Sequence, residues 1–185
     1  VYGMMHQPFT RERFTGDCAA ARYRGPAGER QLHVRRCETV SDAILMTTSP
    51  LLMKEPDRAQ FGKVEQAVRL SRYGGDCYAY CALAAGHVDL VIESGLNAYD
   101  IVALIPIIEG AGGVITTWDG GDPAQGGDII ASGDRTLHRL ALDLLADPRD
   151  QHVDAPLERA RGPALGEVEE LVPRQHPPRP ETQGV

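Results

Sequence analysis

Residues 74–113 read GGDCYAYCALAAGHVDLVIESGLNAYDIVALIPIIEGAGG, and this stretch constrains the fold more than any other. A strand-like run, Leu70 to Tyr73, meets Gly74-Gly75 and then opens a helical pattern. A second run, Val88 to Glu93, meets Gly95 and opens another helical pattern at Asp100. Two strand-to-helix turns in tandem bring two helix starts to the carboxyl ends of strands. A helix start carries unpaired backbone N–H groups and the positive end of the helix dipole, so it receives anions, phosphate above all. Glycines in the first turn let backbone approach a ligand, and Asp100 in the second is a hard oxygen ligand suited to Mg²⁺. Phosphate and Mg²⁺ chemistry is the first expectation.

The rest of the chain supports an α/β fold. Val1 to Phe9 and Arg13 to Thr15 read as a hairpin around Thr10-Arg11-Glu12. Gly25 to Gly28 is a loop, and Gln31 to Arg35 alternates like an edge strand. Ala43 to Thr47 is a short apolar strand, and Pro56-Asp57 starts a helix with Phe61, Val64 and Val68 on one buried face. The helix from about Ala98 to Ala111 should bend or loosen at Pro106 and end at Gly112-Gly113. Val114 to Trp118 and Ile129 to Ser132 are strands, and Asp134 caps a last helix ending near Leu145. Strands alternating with helices imply a layered sheet-and-helix architecture. Residues 147–185, rich in Pro, Arg, Glu and Gln, read as a disordered tail with at most a short helix around Gly166 to Leu171.

Each chemical residue carries two readings. Gly75, Asp76 and Cys77 either present backbone donors to a substrate or form a simple capped helix start. Asp100 is a metal ligand or an acid placed for the dipole, worth about 0.3–1 kcal/mol there. Glu93 ends an apolar strand and should face the same sheet edge as Asp100. Cys77 and Cys81 lie one helical turn apart and read as two small core residues in a reducing compartment.

Charge narrows the partners. A formal net charge of −7 argues against nucleic acid as the main partner, since phosphate backbones need basic patches. It leaves small phosphates available, since a metal ion can supply local positive charge. No apolar run approaches the roughly 20 residues of a membrane span. Val1-Tyr2-Gly3-Met4-Met5 reads as the interior of a strand, so the chain is expected to be truncated at its N-terminus.

Several motifs together resemble the inositol monophosphatase superfamily of Mg²⁺-dependent phosphatases. They are Tyr99-Asp100, Glu109-Gly110-Ala111-Gly112-Gly113, the Gly74-Gly75 turn, and the Gly86 to Asp89 segment leading into a strand. The wording GGDCYAY, AAGHVDLVIE and AYDIVALIPIIEGAGG, with GMMHQPF near the start, is most similar to the histidinol-phosphate phosphatase branch. The resemblance covers residues 1–146 and implies the C-terminal portion of a layered α-β-α sandwich. It implies a metal-ligating Asp100, Glu93 contacting substrate hydroxyls or amine, and Gly75, Asp76 and Cys77 lining the substrate pocket. It implies hydrolysis of a phosphomonoester with Mg²⁺, in the cytoplasm, on a small phosphorylated substrate, without nucleic acid or membrane, and leaves a homodimer open. The family's upstream Glu and its DP(I/L)DGT-type segment do not occur in this sequence. Histidinol phosphate is the expected substrate. An inositol, sugar or nucleotide 3′-phosphate is the alternative within the family, and a catalytically inactive chain or interaction module the alternative outside it.

Overall fold

A computed structural model describes residues 1–146, so the expected disordered tail and its short helix lie outside the described residues. The amino-terminal part is an antiparallel sheet in the order β1 (Gly3–Gln7), β2 (Glu12–Gly16), β3 (Ala21–Gly25) and β4 (Gly28–Gln31). The expected hairpin is β1–β2, with Met5 opposite Phe14. The edge strand lies earlier than the Gln31 to Arg35 reading. Gly25 pairs with Gly28 across a two-residue turn, Pro26-Ala27, and this fixes the pairing of Arg24 with Glu29 and Arg22 with Gln31.

The second sheet holds β5 (Ile44–Thr47), β6 (Leu70–Tyr73), β7 (Leu90–Asn97), β8 (Val114–Thr117) and β9 (Gly126–Ser132), in the order β6-β5-β7-β9-β8. β5 runs parallel to both β6 and β7, whereas β9 is antiparallel to β7 and β8. Leu90, Val91, Ile92, Ile129, Ile130 and Ala131 are fully buried, as expected for central strands covered on both faces. Alternate residues of these strands enter two cores. Val91, Ile129 and Ala131 pack with α2 (Cys77–Ala84) and α4 (Ile105–Gly110), while Leu90, Ile92 and Ile130 pack with α1 (Asp57–Ala67) and α5 (Arg135–Ala146).

The layers therefore run antiparallel sheet, helix pair, mixed sheet, helix pair. The expected layered α/β class holds, with the antiparallel sheet as an additional outer layer. Helices α2 and α4 lie between the sheets. Small residues permit that approach: a Cβ at Gly16 would lie 2.3 Å from the Pro106 carbonyl oxygen, and one at Gly110 would lie 2.5 Å from that of Ala20.

Three expectations need correction. The helix from Ala98 to Ala111 is two pieces, α3 (Ala98–Ile101) and α4, because Pro106 fits the first turn of a new helix better than the interior of an old one. Strand β7 does not stop before Gly95: it continues to Asn97 past an irregularity, held by Leu96 opposite Gly127 and Asn97 opposite Gly126. Of the two cysteines read as core, Cys81 is buried but Cys77 is exposed, since it begins the helix rather than facing its interior.

Candidate active site

Parallel pairing decides where the chemistry gathers. Because β5, β6 and β7 run the same way, their carboxyl ends share one edge of the sheet, the edge at which open α/β sheets hold ligands. Thr47-Thr48 follows from β5, Gly74-Gly75-Asp76 from β6, and Glu93 from β7.

The turn after β6 is bent by three consecutive left-handed residues, with φ of 85° at Gly74, 92° at Gly75 and 48° at Asp76. Gly74 N–H donates to the carbonyls of both Thr47 and Thr48, at 3.1 and 3.0 Å, tying this turn to the end of β5. Glycine adopts such φ freely, whereas Asp76 does not; a non-glycine residue held there costs about 1–3 kcal/mol. Asp76 caps α2 by accepting from Cys77 N at 2.8 Å, and Gly75, Asp76 and Cys77 are all exposed. Asp76 is thus a helix cap, the plainer of its two sequence readings, held in a strained backbone conformation beside the sheet edge.

Glu93 is the opposite kind of acid. It is 7% exposed. One oxygen accepts from Thr48 N at 2.7 Å and Thr48 Oγ1 at 2.8 Å, and the other from Thr47 Oγ1 at 3.2 Å. Burial pushes its carboxyl above the usual 4.5; the threonine hydrogen bonds oppose the rise and the nearby Asp76 charge adds to it.

Asp100 is exposed and sits on the third residue of α3, where its Oδ2 accepts from Asn97 N at 2.8 Å in a capping box. A four-residue helix has little dipole, and its own cap occupies its start, so the expected second anion site is a self-capped turn.

Tyr80 links the three acids. It lies four residues beyond Asp76 on α2, is 3% exposed, and its hydroxyl has no hydrogen-bond partner among the described residues. Burial first, then the charges of Glu93, Asp76 and Asp100, hold that hydroxyl well above its usual 10. Asp76 follows the carboxyl end of β6, Glu93 lies on β7, and Asp100 follows β7 on α3. An edge with three carboxylates and exposed backbone turns can receive a cationic or hydroxylated group and a metal-bound phosphate. It does not hold a metal unaided: among the described residues no group of three or more His, Cys, Asp and Glu side chains is arranged to bind one. Mg²⁺ takes octahedral oxygen coordination from one or two carboxylates, water and substrate phosphate.

Sequence reasoning missed Thr47, Thr48 and Tyr80. The polar Thr47-Thr48-Ser49 closing an apolar strand was the available signal for the first two. The Gly86 to Asp89 motif is structural. Asp89 is fully buried, accepts from Arg35 Nε at 2.9 Å and from Ile44 N at 2.8 Å, and forms an ion pair with Arg35, so it locks the start of β5 to that of β7. No helix among the described residues is long and apolar enough to cross a membrane.

Known proteins share this arrangement. The chain is 42% identical over 154 residues to the bifunctional phosphatase IMPL2, chloroplastic, of Arabidopsis thaliana, covering 78% of this chain and 44% of that protein. It is 33% identical to an inositol-1-monophosphatase of Caulobacter vibrioides, covering 78% of this chain and 58% of that protein. It is 32% identical to a histidinol-phosphatase of Streptomyces coelicolor, covering 78% and 55%. Among solved structures, an inositol monophosphatase from Zymomonas mobilis superposes with a TM-score of 0.73 at 38% identity, covering 78% of this chain and 57% of that one. The chain spans about half the length of the curated relatives it matches. The family profile matches residues 1–152, the whole of the two-sheet body, and on that match the chain belongs to the inositol monophosphatase family.

Proposed function

We propose that residues 1–146 are the C-terminal portion of a Mg²⁺-dependent phosphomonoesterase acting on histidinol phosphate. The observation that carries this reading is that, in a chain of this family, Gly74-Gly75-Asp76 and Glu93 come from the carboxyl ends of strands that run parallel to β5 and share one edge of the sheet. In it, Asp100 gives Mg²⁺ one carboxylate oxygen, and the remaining ligands come from the part of the family fold not contained in this sequence. Gly75 and Cys77 line the pocket. Asp76 and Glu93 take the substrate's ammonium and hydroxyl groups, which suits an amino alcohol phosphate: a charge-assisted hydrogen bond to an ammonium contributes about 1.5–3 kcal/mol. Its place is histidine biosynthesis, and a cytoplasmic, reducing compartment fits four free cysteines. The acidic net charge of −7 favours a small phosphorylated substrate over nucleic acid, and a homodimer is compatible with the reading.

A polyol phosphate is the second reading, favoured by the similarity to the Caulobacter inositol-1-monophosphatase. The test is kcat/KM for histidinol phosphate, inositol 1-phosphate and a nucleotide 3′-phosphate with Mg²⁺, on the chain joined to the amino-terminal part of the family fold. Histidinol phosphate should lead by tenfold or more. A lead for inositol phosphate would transfer the assignment to the second reading.

A further inference from the structure

The antiparallel sheet turns one face to the core and one to solvent. Met5, Phe14, Ala21 and Tyr23 pack with α2 and α4. Their strand neighbours Met4, His6, Arg13, Arg22 and Arg24 therefore point the other way, and all five are exposed. The register lines up the basic ones. Arg13 stands directly opposite His6 on one side and Arg24 on the other. Arg22 lies two residues from Arg24 on the same face of β3, and Arg11 sits in the turn between β1 and β2. His6, Arg11, Arg13 and Arg24, with Gly25 and Pro26, line an open cleft of about 660 Å³. Among the described residues no acidic side chain lines it. At the end of the row Glu29 stands opposite Arg24 and pairs with it at 3.1 Å, but both side chains are largely exposed, so the pair neutralises little.

Like charges directly opposite on a sheet repel and lower stability. A neutral residue at Arg13 would serve the sheet better, and the cluster runs against a chain whose net charge is −7. The cavity of about 380 Å³ on the sheet's other face differs: it is lined by Glu12, Tyr23 and Tyr78, whose polar groups satisfy one another. Guanidinium forks match phosphate oxygens, which they bind through paired, charge-assisted hydrogen bonds. Neighbouring strands lie about 4.8 Å apart, so the row from His6 to Arg24 spans roughly 10 Å. A single phosphate reaches two of these side chains at once, whereas two or three linked phosphates lie along the whole row. The row is too short for a strand of nucleic acid, which draws its affinity from many phosphates.

We propose that the outer face of β1–β3 is a binding site for a compact polyphosphate, the linked phosphates of a small molecule, held by Arg11, Arg13 and Arg24 with His6 and Arg22 at its margins. The site uses no residue of the carboxylate edge and does not depend on the phosphomonoesterase reading. The edge needs a metal ion before it can receive phosphate; this face carries its own positive charge.

The test is calorimetric titration of the 185-residue chain with inorganic tripolyphosphate, ATP and orthophosphate, with a chelator present so that the edge recruits no phosphate through metal. Tripolyphosphate should bind at one site, about tenfold or more tighter than orthophosphate, and more weakly as salt rises. ATP binding as tightly identifies a nucleotide's phosphates as the occupant, and weaker ATP binding identifies free polyphosphate; each supports the site. Arg13→Gln with Arg24→Gln should weaken tripolyphosphate about tenfold or more, Arg13→Gln alone should act in the same direction, and Arg36→Gln, whose side chain pairs with Glu38 outside this face, should change nothing. Without anion, Arg13→Gln should melt at the parent's temperature or above, because it removes a like-charge contact. Absence of saturable binding, orthophosphate binding as tightly as tripolyphosphate, or a double variant that binds like the parent would overturn the proposal. A single-stranded oligonucleotide that binds far more tightly than tripolyphosphate would make the face a nucleic-acid surface and overturn it too. The same titration on the chain completed with the amino-terminal part of the family fold decides the remaining alternative: retained binding supports the site, and lost binding assigns this face to packing against that part.

Discussion

The two strand-to-helix turns look alike in sequence and are built in opposite ways. The turn at Gly74-Gly75-Asp76 carries three left-handed residues, ties itself to Thr47 and Thr48, and holds an acid in a conformation that only glycine adopts cheaply. The turn at Gly95 to Asp100 is relaxed: the strand runs on to Asn97, and Asn97 and Asp100 cap each other. One turn spends stability to place Asp76 at the edge; the other gains stability from Asp100. The strain of the first turn thus accompanies a helix cap and a tie to the end of β5. In the second, Asp100 holds up its own helix.

The largest effect should come from the relaxed turn. Asp100→Asn keeps the side-chain shape and an oxygen able to cap, but removes the charge a metal needs. In the completed protein activity should fall at least about a hundredfold, the scale of a weakened catalytic metal interaction, while the melting temperature barely moves. Phosphate release at the parent rate, at ordinary Mg²⁺, would leave Asp100 a cap and nothing more.

The strained turn should show selectivity instead. Asp76→Ala should lower kcat/KM for histidinol phosphate about tenfold or more and affect an uncharged polyol phosphate much less. Equal losses on both substrates would remove the contrast between the turns and reduce Asp76 to a helix cap.

Much of this comparison is legible in the sequence. Gly74-Gly75 and Gly95 mark both turns, and Asp76, Glu93 and Asp100 fall where a parallel sheet would gather them. What could not be read depends on pairing between distant segments. Thr47 and Thr48 reach Glu93 from 46 and 45 residues away, and only the parallel register of β5 with β7 brings them there. Tyr80, inside an apolar helix, is core, and that its hydroxyl lacks a partner among the described residues is visible only once its neighbours are placed. The extension of β7 past Gly95 is a tertiary effect, since β9 supplies partners that local glycine chemistry argues against. Strand β3 and the true edge strand were missed because the Pro26-Ala27 turn sets their register, whereas the alternation at Gln31 to Arg35 does not.

Smaller effects sharpen the same contrast through stability. Asp76→Gly removes the backbone strain, about 1–3 kcal/mol, and loses only a few tenths as a cap. It should raise stability by about 1 kcal/mol while reducing activity, whereas the same exchange at Asp100 should lower stability. Calorimetry of the two variants checks the signs.

The smallest effect is a pH dependence. Because burial raises the folded-state carboxyl of Glu93, the folded chain binds its proton more tightly than the unfolded chain. This group's contribution therefore falls as pH rises from about 4.5 through its raised value, and is flat beyond. His138 works the other way. Burial lowers it to about 4 from the usual 6.5, so its contribution is present above 6.5 and is lost as pH falls toward 4. The difference in urea unfolding between the parent and Glu93→Gln isolates the first term and should shrink the fall with rising pH; identical pH profiles would contradict the assigned burial of a carboxyl.

The central claim is that these two turns supply the recognition half of a metal-dependent phosphatase site and one carboxylate of its metal. Phosphate release from histidinol phosphate, with and without Mg²⁺, tests it directly when measured on the 185-residue chain and on the same chain completed with the amino-terminal part of the family fold. The account predicts Mg²⁺-dependent turnover by the completed protein and none at enzymatic rates by the chain alone. Metal-dependent turnover by the chain alone, or none by a folded completed protein, would contradict it.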